Sequence, residues 1–238
     1  MVKLVLFDID GTLIHTNSAG VKAFGKAFAM EFKIPDADKM SFAGRTDTGL
    51  VREVFLKNNL EPSKKNYLKF FDCYFPWLDY MLSHCQGDIL PGVWRLIYEL
   101  QGLPDPPLLG LLTGNVRLGA EIKLRHYNLW EFFRTGAFAD DHEDRNQIAT
   151  IAMERGGRML GEKLRGEQVL VIGDTPLDIE CGKAINAKVL AVATGKSSVA
   201  ELAAHHPDWA VASLEQVKAP DILGRTRAKN AAGKSPGR

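Results

Sequence analysis

The sequence contains only three cysteines, Cys73, Cys85 and Cys181, and no Cys-x-x-Cys pair among its 238 residues. This scarcity argues against a disulfide framework and against a cysteine-based zinc site. No apolar stretch approaches the ~18 uncharged residues of a membrane-spanning helix. The short apolar run after Met1 meets Asp8 too early for a signal peptide. We therefore expect a cytoplasmic protein with free thiols and no membrane partner.

The chain also lacks the basic surface that a nucleic-acid-binding protein needs. Its formal net charge is +1, but the last fifteen residues hold five basic and no acidic side chains, so the remainder is mildly acidic. Such a balance argues against a nucleic-acid partner, because binding a duplex requires neutralising its phosphates. The tail, residues 224–238, is rich in Gly, Ala and Lys, which predicts a disordered, solvated end. A nucleic-acid-binding arm is the alternative that its composition leaves open.

What the sequence does contain is an alternation of apolar runs and helical patterns. A hydrophobic content of 45% with 25% charged residues suffices for a substantial core. Continuous apolar runs, typical of strands buried on both faces, cover residues 3–9, 108–112, 168–172 and 188–192. Apolar residues at helical spacing cover 93–101, 117–126, 146–159, 176–184 and 197–205. This order predicts an α/β fold with a doubly wound parallel sheet.

Residues 17–84 interrupt this alternation with helical periods only, so we predict an inserted helical domain. The predicted core then comprises residues 1–16 and 85–223. Pro76 should end or kink a helix within the aromatic stretch, which predicts two helices or a bent one there. The aromatic side chains of this stretch are expected to form the core of the insertion: Phe70, Phe71, Tyr74, Phe75 and Trp77.

Polar residues follow the predicted strands where each one ends. In open α/β sheets these ends share one ligand-binding crevice. The residues expected to meet there are Asp8, Asp10, Thr113, Gly114, Asn115, Asp174 and Asp178. Four carboxylates together repel one another unless a divalent cation binds them, and oxygen-only ligands favour Mg²⁺. Each residue alone could also be an ordinary helix cap or loop acid, so the prediction depends on their combination.

A carboxylate beside Mg²⁺ can attack a phosphoryl group. The hydroxyl of Thr113 and the positive charge of Arg145 would stabilise the charge that develops during transfer. The residues therefore predict phosphoryl chemistry on a small phosphorylated substrate.

At this point the sequence resembles the haloacid dehalogenase superfamily. The first motif appears as Asp8-Ile9-Asp10-Gly11-Thr12, the second as Leu111-Leu112-Thr113-Gly114-Asn115, and the fourth as Gly173-Asp174-Thr175-Pro176-Leu177-Asp178. The resemblance covers the whole predicted core and implies a helical cap formed by the insertion.

The resemblance also implies roles for single residues. Asp8 would be the nucleophile, and Asp10 would protonate the leaving oxygen and then activate water. Mg²⁺ would bind Asp8, the backbone carbonyl of Asp10 and Asp174, with Asp178 holding a metal-bound water or orienting its neighbours. Thr113 would donate to the transferred phosphoryl group, with Gly114 and Asn115 beside it binding substrate.

One motif departs from the family pattern. The family places a lysine about thirty residues before the fourth motif, where this chain has Arg145. We assign the lysine role to Arg145, because Lys163 lies too near the fourth motif and Lys123 falls inside the helix after the second. The guanidinium keeps the charge but not the geometry of an amine. The alternative is that the acids at 141–144 form a helix-start turn and Arg145 merely takes part in an ion pair.

Within the insertion, the segment Ala43-Gly44-Arg45-Thr46-Asp47 resembles one found in phosphoglycolate-phosphatase-like members of the family. There the basic residue faces the crevice, so Arg45 is a candidate substrate-binding residue. The alternative is that Thr46 or Asp47 caps the next helix while Arg45 lies in solvent. His15 and Asn17 are weaker candidates for substrate contact.

These observations predict a magnesium-dependent phosphatase of small phosphate monoesters, similar to phosphoglycolate phosphatases. Two alternatives remain open: a phosphosugar mutase of the same fold, and a non-catalytic phosphate-binding regulator such as a receiver domain. A metal-independent dehalogenase is disfavoured by Asp10, which that type lacks.

Overall fold

The fold is built on a parallel sheet. The computed structural model describes residues 1–224, whose strands are β1 (Leu4–Phe7), β2 (Ile14–His15), β3 (Asp88–Ile89), β4 (Leu108–Leu112), β5 (Thr135–Ala137), β6 (Val169–Gly173), β7 (Lys188–Val192) and β8 (Trp209–Val211). Six of these form one sheet in the order β5-β4-β1-β6-β7-β8, with every neighbouring pair parallel. β2 and β3 form a separate antiparallel ribbon. The predicted α/β fold is therefore confirmed.

Helices connect these strands. Their bounds are α1 (Ala19–Phe32), α2 (Asp47–Lys57), α3 (Lys64–His84), α4 (Val93–Gln101), α5 (Arg117–His126), α6 (Arg145–Leu160), α7 (Pro176–Ala184), α8 (Val199–Ala204) and α9 (Ala219–Ile222). The five helices predicted for the core are all present, with ends that differ from prediction by at most two residues. Along residues 1–224, no helix has the length and apolar character needed to cross a bilayer.

The central strand β1 shows why helices cover both faces of the sheet. Its side chains alternate between two apolar layers, as the period of a strand requires. Val5 and Phe7 lie in the layer that contains residues of α4. Leu4 and Leu6 lie in the opposite layer, which contains residues of α6. Strand β1 is therefore buried on both faces, and Asp8 follows directly after it.

Helices α1, α2 and α3 share an apolar cluster of their own. Its centre is aromatic, with the rings of Phe28 and Phe70 4.6 Å apart between centroids. Phe70 and Tyr74 are buried in it, and the other predicted aromatic residues pack against it partly exposed. The chain enters these helices just after β2 and leaves them just before β3. We take this segment as the proposed cap and keep the proposed boundaries of 17–84.

Of the two alternatives predicted at Pro76, the division into two helices is wrong, and a bend at the proline stays a prediction. Helix α3 continues through Pro76 to His84. Four side chains on one face of α3 are buried on both sides of the proline: Phe70, Tyr74, Leu78 and Leu82. Their burial, at roughly 25 cal/mol per Å² of apolar surface, outweighs the loss of one backbone hydrogen bond at the proline.

The predicted disordered tail, residues 224–238, lies outside the described residues apart from Gly224. The part of the core before it ends with α9, whose Ala219 and Ile222 are buried in the same layer as Val5 and Phe7.

Candidate functional site

Three buried carboxylates meet at the ends of the central strands. Asp8 follows β1, Asp174 follows β6, and Asp178 lies in the first turn of α7. Each can offer an oxygen within 4.8 Å of the other two, and all three side chains are buried. Parallel strands bring their carboxyl ends to one edge of the sheet, which is why these residues meet.

The carboxylate of Asp10 does not belong to this group of three. Its Oδ2 accepts hydrogen bonds from the side chains of Lys123 and Asn115 instead. A contact between Asp10 and a metal would therefore come from its backbone carbonyl, as the family resemblance implies, and this remains a prediction.

Two of the three carboxylates, Asp8 and Asp174, are held in an environment that opposes their ionisation. Burial raises the pKa of Asp8 to about 7, with the negative charge of Asp178 adding to the rise and Arg145 opposing it. Burial likewise raises the pKa of Asp174 to about 8, and the charges of Asp178 and Asp8 add to it. A divalent cation is what such a group of hard oxygen donors needs, and Mg²⁺ fits it.

These pKa shifts predict that the stability of the metal-free protein depends on pH. The folded state binds more protons than the unfolded state between the ordinary carboxyl pKa of 3.8 and the raised values of about 7 and about 8 for Asp8 and Asp174. The two carboxyl groups therefore contribute to stability below this pH window, and their contribution is lost as the pH rises through it. We expect the free energy of unfolding in EDTA to fall by on the order of 2 kcal/mol between about pH 5 and about pH 8.

Urea unfolding at the two pH values, with EDTA and with Mg²⁺, measures this effect. Mg²⁺ should restore stability at the higher pH and have little effect at the lower one, because ionised carboxylates bind it. Equal unfolding free energies at both pH values in EDTA would contradict the prediction.

Arg145 is the cation paired with this group. It begins α6, where the side chain of Asp144 caps the helix. Its Nη2 lies 3.5 Å from Oδ1 of Asp8 and donates a short hydrogen bond to Oδ1 of Asp178. Burial lowers the pKa of Arg145, but Asp178 and Asp8 outweigh it and hold the pKa above its ordinary value. Both sequence readings of this segment thus describe part of what is seen: a helix start, and an arginine beside the predicted nucleophile.

Two glycines leave room for Asp174. Gly11 has a φ of +88°, and a Cβ there would lie 2.4 Å from Oδ2 of Asp174. A Cβ on Gly195, in the loop after β7, would lie 1.7 Å from the same oxygen. Thr194 in that loop donates a hydrogen bond of 2.6 Å to the carbonyl of Gly11. The loop 194–195 was not among the sequence candidates, because a Thr-Gly pair carries no chemical signature.

The second motif spans the end of β4, and its last three residues are hydrogen-bonded to the segment 43–47 through Gly114. The backbone N–H of Asp47 donates to the carbonyl of Gly114 at 2.7 Å, and Oδ2 of Asp47 accepts from the backbone of Val116 at 2.9 Å. A Cβ at Gly114 would lie 2.1 Å from the carbonyl oxygen of Arg45. Only glycine allows this close approach of the two backbones.

Arg45 lines the site, but its guanidinium is occupied. It forms a short ion pair with Glu53 of α2. Thr46 caps α2 by accepting from the backbone of Gly49, and it donates to the carbonyl of Glu143 at 3.0 Å. The alternative reading of this segment as a helix cap therefore describes Thr46, and substrate contact by Arg45 remains a prediction.

Lys123 is the residue that the sequence reasoning missed. Its amine is buried and donates hydrogen bonds of 2.6 Å to Oδ2 of Asp10 and to Oδ1 of Asn115. A signal was present in α5, where the buried stripe Gly119, Ala120, Lys123 and Leu124 contains a lysine. A buried lysine inside an apolar stripe needs an acidic partner within reach, and Asp10 supplies it.

These groups surround one cavity of about 320 Å³ between the core and the proposed cap. Its polar side includes Asp8, Asp10, Thr113, Asn115, Arg145 and Asp174, whereas the cap contributes mainly apolar side chains: Val21, Phe24, Phe42, Leu50 and Tyr74. Gly114, Arg45, His15 and Lys123 also line it, but Asn17 does not. Thr113 accepts a 2.9 Å hydrogen bond from the amide of Asn115.

The chain is similar in sequence or in fold to proteins named as phosphatases. A pyrophosphatase named PpaX from Bacillus cereus (strain B4264) is 27% identical over 221 residues, which cover 87% of this chain and 91% of the relative. A crystal structure of a predicted phosphatase from Clostridium acetobutylicum shares the fold with a TM-score of 0.70 at 19% identity, covering 94% of this chain and 99% of that one. A predicted phosphoglycolate phosphatase from Haemophilus somnus 129pt has a TM-score of 0.68 at 18% identity, with 94% and 98% covered.

A family model described as haloacid dehalogenase-like hydrolase matches residues 5–192, which is most of the chain and includes every motif quoted above. The resemblance inferred from the motifs is thereby confirmed. The chain belongs to the haloacid dehalogenase-like hydrolase family and is an enzyme.

Proposed function

We propose that the protein is a magnesium-dependent phosphatase that hydrolyses a small phosphate ester through a phosphoryl group carried on Asp8. The observation that carries this proposal is the position of Asp8, buried at the end of β1, facing the cavity and grouped with Asp174, Asp178 and Arg145. A buried carboxylate beside a cation-binding group is suited to attack phosphorus.

In the first half of the reaction, an oxygen of Asp8 attacks the phosphorus in line with the leaving group. The bond to the leaving oxygen breaks, and Asp10 gives that oxygen a proton. Arg145 and the hydroxyl of Thr113 stabilise the negative charge on the transferred group. Bound by Asp8, Asp174 and the backbone of Asp10, Mg²⁺ would supply further positive charge for the phosphate oxygens.

In the second half, Asp10 takes a proton from water, which attacks the phosphorus of the aspartyl phosphate. Inorganic phosphate leaves, and the carboxylate of Asp8 is restored. Water must be excluded during the first half and admitted during the second. The apolar cap residues over the cavity suit the first of these needs.

The size of the cavity supports a small substrate, since about 320 Å³ is at the lower end of small-molecule sites. We infer a metabolite phosphorylated on oxygen, similar to phosphoglycolate, acted on in the cytoplasm. The free thiols of Cys73, Cys85 and Cys181 are compatible with a reducing compartment. Inorganic pyrophosphate is a second candidate, because the relative PpaX carries the name pyrophosphatase and is matched over 91% of its length.

The test is phosphate release from a panel with and without Mg²⁺: phosphoglycolate, hexose phosphates, p-nitrophenyl phosphate and pyrophosphate. We expect Mg²⁺-dependent turnover of at least one small ester or of pyrophosphate. No release from any compound by folded protein would overturn the proposal and favour a regulator. Conversion of a hexose 1-phosphate into its 6-phosphate without phosphate release would favour a mutase.

A further inference from the structure

The amine of Lys123 lies in a closed polar site between α5, the second motif and the proposed cap. Its side chain is 6% exposed, whereas that of its partner Asp10 is 41% exposed and faces the cavity. A Cβ on Gly20 of α1 would lie 3.4 Å from the amine nitrogen, so the cap backbone covers it closely. Asp47 of α2 interacts with the same amine. Burial raises the pKa of Asp47, and the positive charge of Lys123 opposes that rise.

Lys123 determines how its neighbours are oriented. An ammonium can only donate hydrogen bonds, so the oxygen of the Asn115 amide must face it. The amide nitrogen of Asn115 is then directed to Oδ2 of Asp10 at 2.8 Å and to Oγ1 of Thr113 at 2.9 Å. Lys123 and Asn115 thus hold the same oxygen of Asp10 from two directions.

We propose that Lys123 is a positioning residue for proton transfer by Asp10, an inference that rests on the proposed function. With Oδ2 fixed by two donors, the other oxygen of Asp10 is directed to the substrate in the cavity. When that oxygen gives its proton to the leaving group, Asp10 becomes a carboxylate, and the ammonium of Lys123 stabilises the new charge. When Asp10 later takes a proton from water, that charge is removed.

A buried ion pair can also serve stability alone, and the leaving group separates the two roles. An alkyl phosphate needs proton donation to its leaving oxygen, whereas p-nitrophenolate leaves without it. The ratio kcat/KM reports the steps up to release of that group, so it isolates this half of the reaction. A loss of positioning therefore lowers kcat/KM selectively for the alkyl ester. A general disturbance of the site lowers kcat/KM for both esters.

The experiment compares kcat/KM for phosphoglycolate and p-nitrophenyl phosphate in wild type, Lys123→Met, Asp10→Ala and the double variant. Methionine keeps most of the length of the side chain without its charge. We expect Lys123→Met to lower kcat/KM about 30-fold for phosphoglycolate and less than about 3-fold for p-nitrophenyl phosphate, since a positioned general acid contributes about 10² to 10⁴. Lys163→Met, at an exposed position, is the matched control and should behave as wild type.

The double variant provides the second criterion. If Lys123 acts through Asp10, adding Lys123→Met to Asp10→Ala should lower kcat/KM no further. An equal loss for both esters, no loss for either, or additive losses in the double variant would each overturn the role of Lys123. Because all ratios are referred to a turning-over wild type, this outcome differs from failure of the proposed function, in which wild type releases no phosphate.

Discussion

Replacing Asp8 with asparagine is expected to abolish turnover while making the metal-free protein more stable. Asparagine has almost the same shape but is a poor nucleophile, so phosphate release should fall at least about 10⁴-fold, as for removal of other enzymatic nucleophiles. Stability should rise because burial and the charge of Asp178 hold the pKa of Asp8 at about 7. The variant removes one charge from that group and should gain on the order of 1 kcal/mol at about pH 8 in EDTA.

Steady-state phosphate release and urea unfolding in EDTA measure the two effects on the same preparation. Asp36→Asn is a matched control, because Asp36 is an exposed residue of the cap whose ion pair within residues 1–224 is with Lys39 at the surface. It should change neither quantity appreciably. Residual turnover of Asp8→Asn within about tenfold of wild type would contradict the role of Asp8 as nucleophile.

Replacing Arg145 with methionine is expected to damage both stability and turnover. The change leaves Asp178, which is fully buried, without its cation and removes the positive charge beside Asp8. Breaking a buried pair from one side costs about 3 to 5 kcal/mol. Turnover should fall about 10² to 10³-fold, because a preorganised charge at the transferred group is lost.

Two further variants distinguish the effect of the charge of Arg145 from the effects of its side-chain geometry and of the stability of α6. Arg145→Lys keeps the charge but not the forked guanidinium, so we expect intermediate values for both quantities. Arg155 lies on the same helix, and Arg155→Met breaks its 2.6 Å ion pair with Asp141. Asp141 is not one of the three clustered carboxylates. It should lower the unfolding free energy but leave kcat within about threefold of wild type. If Arg145→Met and Arg155→Met lose turnover equally, the catalytic role of Arg145 is contradicted.

Much of the core could be predicted from the sequence because its central strands are buried on both faces. Continuous apolar runs identify β1, β4, β6 and β7. The strands at the two edges, β5 and β8, were not predicted, since each has only three residues and lacks such a run. The helix end that was one alternative at Pro76 is absent, because the apolar face of α3 continues beyond the proline.

Site residues could be predicted where they directly follow a strand. They could not be predicted where a long side chain brings a residue from within a helix to the site. Asp8 and Asp174 directly follow strands, so the topology brings them together. Lys123 lies eight residues beyond Asn115, inside a helix, and only its long side chain returns it to Asp10. Arg145 was found because the family pattern expects a cation there, although no pattern indicated that it would bind Asp178 more closely than Asp8.

The close approach of Gly114 to the carbonyl of Arg45 has a consequence for how this sequence can vary. A methyl group at residue 114 and a docked segment 43–47 exclude each other, although residue 114 itself carries no functional group. The residue type at position 114 is therefore limited by the packing of segment 43–47 over the cavity, and not by a role in phosphoryl transfer. One added carbon atom at residue 114 would displace the segment 43–47 from the second motif without altering any charge.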